Sequence, residues 1–270
     1  MSRVVVITGA GSGIGRATAL AFARPGTALE LSDRDAAGLS ETRRLLDGSQ
    51  ATVSGRVVDV SDAPAVGAYA VELLERHPGV DVLVNNAGVA FVGDVTRTPP
   101  ERWDQIFRVN VLGVVHAVQA LAPALRARRG QVVNVASASV FWVPRTLGAY
   151  AASKRALTGL SDALRAELAA DGVGVTVVCP GLVATPLADH LGLPDGEESE
   201  RARLRELLSR RGVAPERVAK AIVAACERRP RLVTVGADAA LLRFFERWLP
   251  GLLPKLASQV GSRRTVRDTK

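Results

Sequence analysis

At 270 residues, 47% of them hydrophobic and 23% charged, the chain is long enough for one large α/β domain with a full core. Its net charge of +8 is carried almost wholly by arginines scattered along the sequence, with no aromatic-interleaved basic patch, which argues against a nucleic-acid partner. Two distant cysteines (Cys179, Cys226), three isolated histidines (His77, His116, His190) and no apolar run of about 18 residues argue against a disulfide framework, a metal site and a membrane span.

The chain runs from Met1-Ser2-Arg3 straight into Val4–Ile7, so no signal peptide and a reduced, cytoplasmic setting are expected. Val4–Ile7 reads as a buried strand. The glycine-rich run Thr8-Gly9-Ala10-Gly11-Ser12-Gly13-Ile14-Gly15 follows, and then an apolar helical pattern from Gly13. Glycines permit positive φ and let backbone N–H groups approach an anion. The helix start adds partial positive charge, so a pyrophosphate is the natural occupant of such a turn.

Further strands are predicted at Ala28–Ser32, Thr52–Val58, Val80–Asn85, Gln131–Val135, Gly174–Cys179 and Leu232–Val235. Helical patterns begin near Ala36, Ala63, Glu101, Gly148 and Pro215. This alternation predicts a doubly wound, Rossmann-type α/β fold: a seven-stranded parallel sheet with helices on both faces. Residues 1–237 form one expected domain, with 187–212 as a flap over its site and 238–270 as a C-terminal extension.

Tyr150 and Lys154 are four residues apart in a helical stretch, which sets them on one face. A free phenol, with pKa about 10, is a poor acid–base catalyst at neutral pH. A fixed positive charge beside it favours the phenolate and lowers that pKa toward the useful range.

Together these residues resemble the short-chain dehydrogenase/reductase family. Its TGxxxGxG turn is matched by Thr8, Gly9, Gly13 and Gly15, and its NNAG segment by Asn85-Asn86-Ala87-Gly88. Its helix asparagine falls on Asn110 and its serine, 13 residues before the tyrosine, on Ser137. Its YxxxK pair is Tyr150 and Lys154, and its PGxxxT segment Pro180-Gly181-Leu182-Val183-Ala184-Thr185. The resemblance covers roughly residues 3 to 186 and loosens beyond about residue 190.

The resemblance implies a nicotinamide dinucleotide held by Thr8, Gly9, Ser12, Gly13, Ile14 and Gly15, by Asn86, Ala87 and Gly88, by Asp59 and Val60, and by Pro180, Gly181, Val183 and Thr185. It implies that Tyr150 exchanges a proton with an alcohol or ketone while hydride passes to or from the nicotinamide. Lys154 would lower the tyrosine pKa and bind the ribose, Ser137 would hydrogen-bond the substrate oxygen, and Asn110 would hold a water linking Lys154 to solvent. A carboxylate at the end of the second strand accepts ribose hydroxyls and repels a 2′-phosphate, so Asp33 selects NAD. Arg34, directly after it, leaves NADP as the alternative. Structural readings stand beside these: Asp33 as a helix cap, Asp59 as a turn-former, and Asn110 as a polar group satisfying a helix irregularity. Ser139, a second hydroxyl near Ser137, either assists it or caps the turn, and the cap is favoured.

Apolar candidates for the substrate pocket are Phe91, Phe141, Trp142, Leu147 and Leu182, with Ser139 beside them. They suit a hydrophobic secondary alcohol or ketone better than a sugar. A β-ketoacyl thioester is the alternative substrate, and a non-catalytic dinucleotide-binding protein a third reading. Leu204, Leu207 and Leu208 of the flap are expected to close over the site. In the extension, Leu241, Phe244, Phe245, Trp248 and Leu252 share one helical face. Packing of that face on a neighbouring subunit or at the pocket mouth is favoured over contact with an anionic membrane. Residues from Ser262 onward are expected to be disordered, and family habit implies a homodimer or homotetramer.

Overall fold

Val4–Ile7 has no polar face to turn toward water, and the chain buries it on both sides. The computed structural model describes residues 2–185, 192 and 198–250. Its strands are β1 (Arg3–Thr8), β2 (Thr27–Asp33), β3 (Thr52–Val57), β4 (Val82–Asn85), β5 (Gln131–Val135), β6 (Gly174–Pro180) and β7 (Leu232–Val235). They form one sheet in the order β3-β2-β1-β4-β5-β6-β7, with every neighbouring pair parallel. The predicted seven-stranded, doubly wound sheet is the fold observed. The order reverses direction between β1 and β4, and a crevice opens beyond their carboxyl ends.

The helices are α1 (Gly13–Phe22), α2 (Ala36–Leu45), α3 (Ala63–Arg76), α4 (Pro100–Phe107), α5 (Gly113–Arg128), α6 (Gly148–Leu168), α7 (Glu198–Arg211), α8 (Pro215–Arg228) and α9 (Ala237–Trp248). Successive strand side chains point to opposite faces. Val4 and Val6 therefore join the core formed with Leu73 of α3, Leu121 of α5 and Leu157 of α6. Val5 and Ile7 join the other, with Phe22 of α1, Leu39 of α2 and Ile222 of α8. Glu30 breaks the apolar run of β2, yet it is buried and satisfied by Arg76 at 2.7 Å and His77 at 2.9 Å. That pairing ties the end of α3 to the sheet.

Three expectations need correction. The single helix expected from Glu101 is two, α4 and α5, joined by a π-helical turn at Arg108–Leu112. The apolar pattern runs through the turn unbroken, so periodicity hides the extra residue. By length and composition the joined run Pro100–Arg128 is apolar enough to cross a membrane. Its Val114, Ala117, Val118, Leu121 and Leu125 are instead buried in the core.

The boundary expected at 237/238 is not a break. Ala239 is fully buried in the core, Leu242 packs against it, and the Asp238 carboxylate accepts the Leu182 N–H at 2.8 Å. The first turns of α9 therefore belong to the domain. Leu241, Phe244 and Trp248 are exposed, so they do not pack at the mouth of their own pocket. Leu252 and the tail from Ser262 lie outside the described residues, as do Leu187 and most of the flap before α7. The third is the lining of the substrate pocket, where Phe91 and Phe141 are buried in clusters away from Tyr150.

Candidate active site

The crevice is shaped first by the turn after β1. Gly9 has φ +65°, and a Cβ there would stand 2.7 Å from Ala87 Cα, so only glycine lets the turn lie against the end of β4. The Thr8 hydroxyl accepts the N–H groups of Asn86 (3.1 Å) and Ala87 (3.2 Å). Asn86 Nδ2 returns bonds to the carbonyls of Thr8 (3.1 Å) and Gly9 (2.9 Å). Ser12 precedes α1 in an extended conformation and makes no side-chain cap. The first-turn N–H groups of α1 are thus left for an anion, and this cradle fits a pyrophosphate.

Gly9, Ser12, Gly13, Ile14, Asp33, Arg34, Asp59, Val60, Asn86, Ala87, Gly88 and Thr185 line one cleft with Tyr150 and Lys154. Asp33 Oδ2 accepts the Gly11 N–H at 2.7 Å and Oδ1 the Asp35 N–H at 2.9 Å. The carboxylate therefore braces the glycine-rich turn while facing the cleft. Asp59 forms the turn, accepting the N–H (2.8 Å) and hydroxyl (2.7 Å) of Ser61, and it lines the cleft. Thr8, Gly15, Pro180, Gly181 and Val183 do not line it. Thr8 acts as the brace described above. Gly181 N–H bonds Val235 O at 2.9 Å, and Val183 pairs with Val213.

Tyr150 and Lys154 rise from the first turns of α6. The Lys154 ammonium lies 5.7 Å from the centre of the Tyr150 ring and donates to the Val135 carbonyl at 2.9 Å. A Cβ on Gly88 would stand 3.3 Å from both Lys154 Nζ and Asn110 Oδ1, so these three groups converge. The Ser137 hydroxyl accepts the Ser139 N–H at 3.2 Å and favours the ionised form of the Tyr150 phenol. Burial raises the Tyr150 pKa; Ser137 opposes it, and Cys179 adds to the rise. Burial also lowers Lys154 to about 8. The net shift of the phenol is therefore upward, set by burial, and not the depression expected from Lys154.

Asn110 is fully buried in the π-helical turn. Its Oδ1 accepts the Val89 N–H at 2.9 Å, and its Nδ2 donates to Val89 O and to Ser153 Oγ, both at 2.9 Å. Ser153 in turn donates to the Tyr150 carbonyl at 2.7 Å. The side chain thus satisfies the helix irregularity and links the chain after β4 to the catalytic turn of α6.

On the substrate side, Tyr150 packs with Leu147 and Leu182 against Ala90, Val92 and Leu208 of α7. Phe91 and Phe141 are corrected. Gly192 pairs with both Ala90 and Val92, and the Phe91 ring turns the other way, into a cluster with Ile106 and Ala149. Phe141 is buried in the main core. Trp142 is half-buried, and Leu207 is 39% exposed, so of the described flap leucines Leu208 is the one against the site. Ser139 Oγ is buried with no hydrogen-bond partner among the described residues. It is the N–H of Ser139, capped by Ser137, that closes the turn. Sequence reasoning missed Val89, Val135, Ala136 and Ser153. Ser153, three residues after Tyr150 and one before Lys154, carried a signal in its helical spacing; Val89 and Val135 act through backbone and carried none.

A model of the short chain dehydrogenase family matches residues 3–194. The chain belongs to the short-chain dehydrogenase family. It is similar to the Mycobacterium tuberculosis protein named probable oxidoreductase EphD, 38% identical over 262 residues. That match takes in 94% of this chain but 44% of EphD, so the chain spans less than half the length of that curated relative. The 3-oxoacyl-[acyl-carrier-protein] reductase FabG of Thermotoga maritima is 32% identical over 89% of this chain and 98% of its own. Among solved structures, a short-chain dehydrogenase/reductase from Burkholderia phymatum in complex with NAD has TM-score 0.81 and 32% identity, over 90% of this chain and 92% of its own.

Proposed function

We propose that the protein interconverts a hydrophobic secondary alcohol and its ketone, with NAD(H) as cofactor and Tyr150 as the general acid and base. The observation that carries this reading is the position of Tyr150. It lines the cleft of the glycine-rich turn and also packs against the apolar cluster of Ala90, Val92, Leu147, Leu182 and Leu208. A dinucleotide held there supplies a nicotinamide carbon that accepts or returns a hydride. The glycine-rich turn and the start of α1 hold its pyrophosphate, Asp33 its adenosine ribose, and Thr185 its carboxamide.

In the oxidation direction the Tyr150 oxygen takes the proton of the alcohol, and in reduction it gives one to the ketone oxygen. Ser137 donates to the substrate oxygen and stabilises the charge that develops there. Lys154, anchored on the Val135 carbonyl, supplies the neighbouring cation and binds the nicotinamide ribose. Because burial raises the phenol pKa, Tyr150 is protonated at neutral pH, the form that donates. Ketone reduction is therefore favoured near neutrality and alcohol oxidation at alkaline pH.

The carboxylate of Asp33 in the cleft supports NAD over NADP, whereas Arg34 beside it keeps NADP as the alternative. The FabG relative, matched over nearly its whole length, favours a second reading, reduction of a β-ketoacyl thioester. A non-catalytic role is disfavoured because Ser137, Tyr150 and Lys154 are all present. The free, buried cysteines suit a reducing, cytoplasmic setting, and a homodimer or homotetramer follows family habit.

The test is a screen of secondary alcohols and ketones graded by size, with acetoacetyl thioesters included, followed at the absorbance of NADH. Turnover rising with apolar bulk supports the main reading, and turnover confined to thioesters selects the second. Turnover of sugars alone would contradict both.

A further inference from the structure

Exposed apolar side chains gather on one helix, and the catalytic reading leaves them unused. On α9, Leu241, Phe244 and Trp248 are 55%, 53% and 64% exposed, and Leu249 just beyond is 46% exposed. Residues three, four and seven apart share a helical face, so the first three make one stripe, about 10 Å long. Ala239 and Leu242, on the opposite side, hold the helix to the core. No described residue covers the stripe, although the Arg247 guanidinium sits 5.5 Å from the centre of the Trp248 indole. Beyond Pro250 the sequence continues with Leu252, Leu253 and Leu256, and with Lys255, Arg263, Arg264, Arg267 and Lys270 against the single acid Asp268.

We propose that the outer face of α9 docks the protein on an anionic lipid bilayer. Leu241, Phe244 and Trp248 enter the boundary between headgroups and acyl chains, Arg247 meets the headgroups, and the excess positive charge of the sequence after Pro250 draws the chain to an anionic surface. Aromatic rings are suited to that boundary. A short apolar face binds weakly alone, and adjacent basic residues supply the second signal that stable peripheral attachment needs.

The charge also argues against a second copy as the occupant. A two-fold contact sets the same patch against itself, which would bring two strongly basic segments together. The stripe is also small: three such side chains, partly exposed, offer on the order of 300 Å², against about 800 Å² per partner in a stable pair.

The docked helix bears on the substrate end of the cleft. Its Asp238 holds the Leu182 backbone, and the helix packs on the turn Ala138–Val140 that follows Ser137. A bilayer beneath α9 would therefore lie beside the entrance used by an apolar substrate. Docking itself does not rest on the catalytic reading.

The experiment is sedimentation of the full chain with vesicles of phosphatidylcholine alone, and with phosphatidylglycerol added, at low and high salt. Binding is expected to the anionic vesicles only, weakened about tenfold or more by high salt. The double variant Phe244→Ser/Trp248→Ser should lose it, while turnover of a soluble alcohol stays unchanged. A chain ending at Pro250 should lose the salt-dependent part, which gives a second reading should the double variant fold poorly. Absence of binding to anionic vesicles, or binding untouched by both variants, overturns the proposal. So does a dimer that the double variant dissociates without any vesicle binding, which would make the face a contact between copies. Failure of turnover in every form, with vesicle binding intact, would count against the catalytic reading alone.

Discussion

The Ser137 hydroxyl stands by the Tyr150 phenol and favours its ionised form, working against burial, which raises the phenol pKa. The serine is itself oriented by the Ser139 N–H at 3.2 Å. Ser137→Ala should therefore push the ionisation of Tyr150 higher still. The alkaline rise of kcat/KM for alcohol oxidation should move to higher pH, and the maximal rate should fall about 100-fold or more with the donor to the substrate oxygen gone. A pH profile of the variant checks both; an unmoved limb would remove Ser137 from the proton-transfer step.

Asp33→Asn tests the cofactor assignment while keeping the brace on the glycine-rich turn, because the amide oxygen still accepts the Gly11 N–H, at the loss of the bond from the Asp35 N–H. Removing the negative charge should raise kcat/KM for NADPH relative to NADH by about tenfold or more, a change near 1.4 kcal/mol. A wild-type enzyme that already prefers NADPH would overturn the role given to Asp33.

Asn110→Ala removes three hydrogen bonds from a fully buried site and strands the Val89 backbone groups. Each unsatisfied buried group costs about 1–3 kcal/mol. The variant should lose about 2–4 kcal/mol in urea unfolding. A loss below about 0.5 kcal/mol would mean that water replaces the side chain at no cost.

Leu208→Ala opens the wall that faces Tyr150. Bulkier secondary alcohols should gain in kcat/KM over small ones by about tenfold, the scale set by a few methylenes in an apolar pocket. Leu207→Ala, on the exposed side of α7, should leave the ranking unchanged.

The parts of this molecule governed by local rules were readable before the fold was known. The strand–turn–helix at Val4–Phe22 declared itself because a buried strand, a glycine cradle and a helical period meet in a fixed order. Tyr150 and Lys154 were paired by helical spacing alone. What depended on tertiary contacts was not readable. Phe91 looks like pocket lining until Gly192 bridges its neighbours and sends the ring behind them. The π-helical turn at Asn110 is invisible to periodicity, and the side-chain bonds that satisfy it reach residues 21 and 43 positions away. Burial of the Tyr150 hydroxyl, which reverses the expected direction of its pKa shift, arises from packing that no spacing encodes.

The most direct test is Tyr150→Phe, assayed for turnover on a substrate found in the screen and for NADH binding by fluorescence. The ring and its apolar contacts remain, so NADH affinity should stay within about twofold, while turnover should fall at least about 100-fold. A variant that binds NADH normally and keeps full turnover would contradict the assignment of Tyr150 as the group that moves the proton.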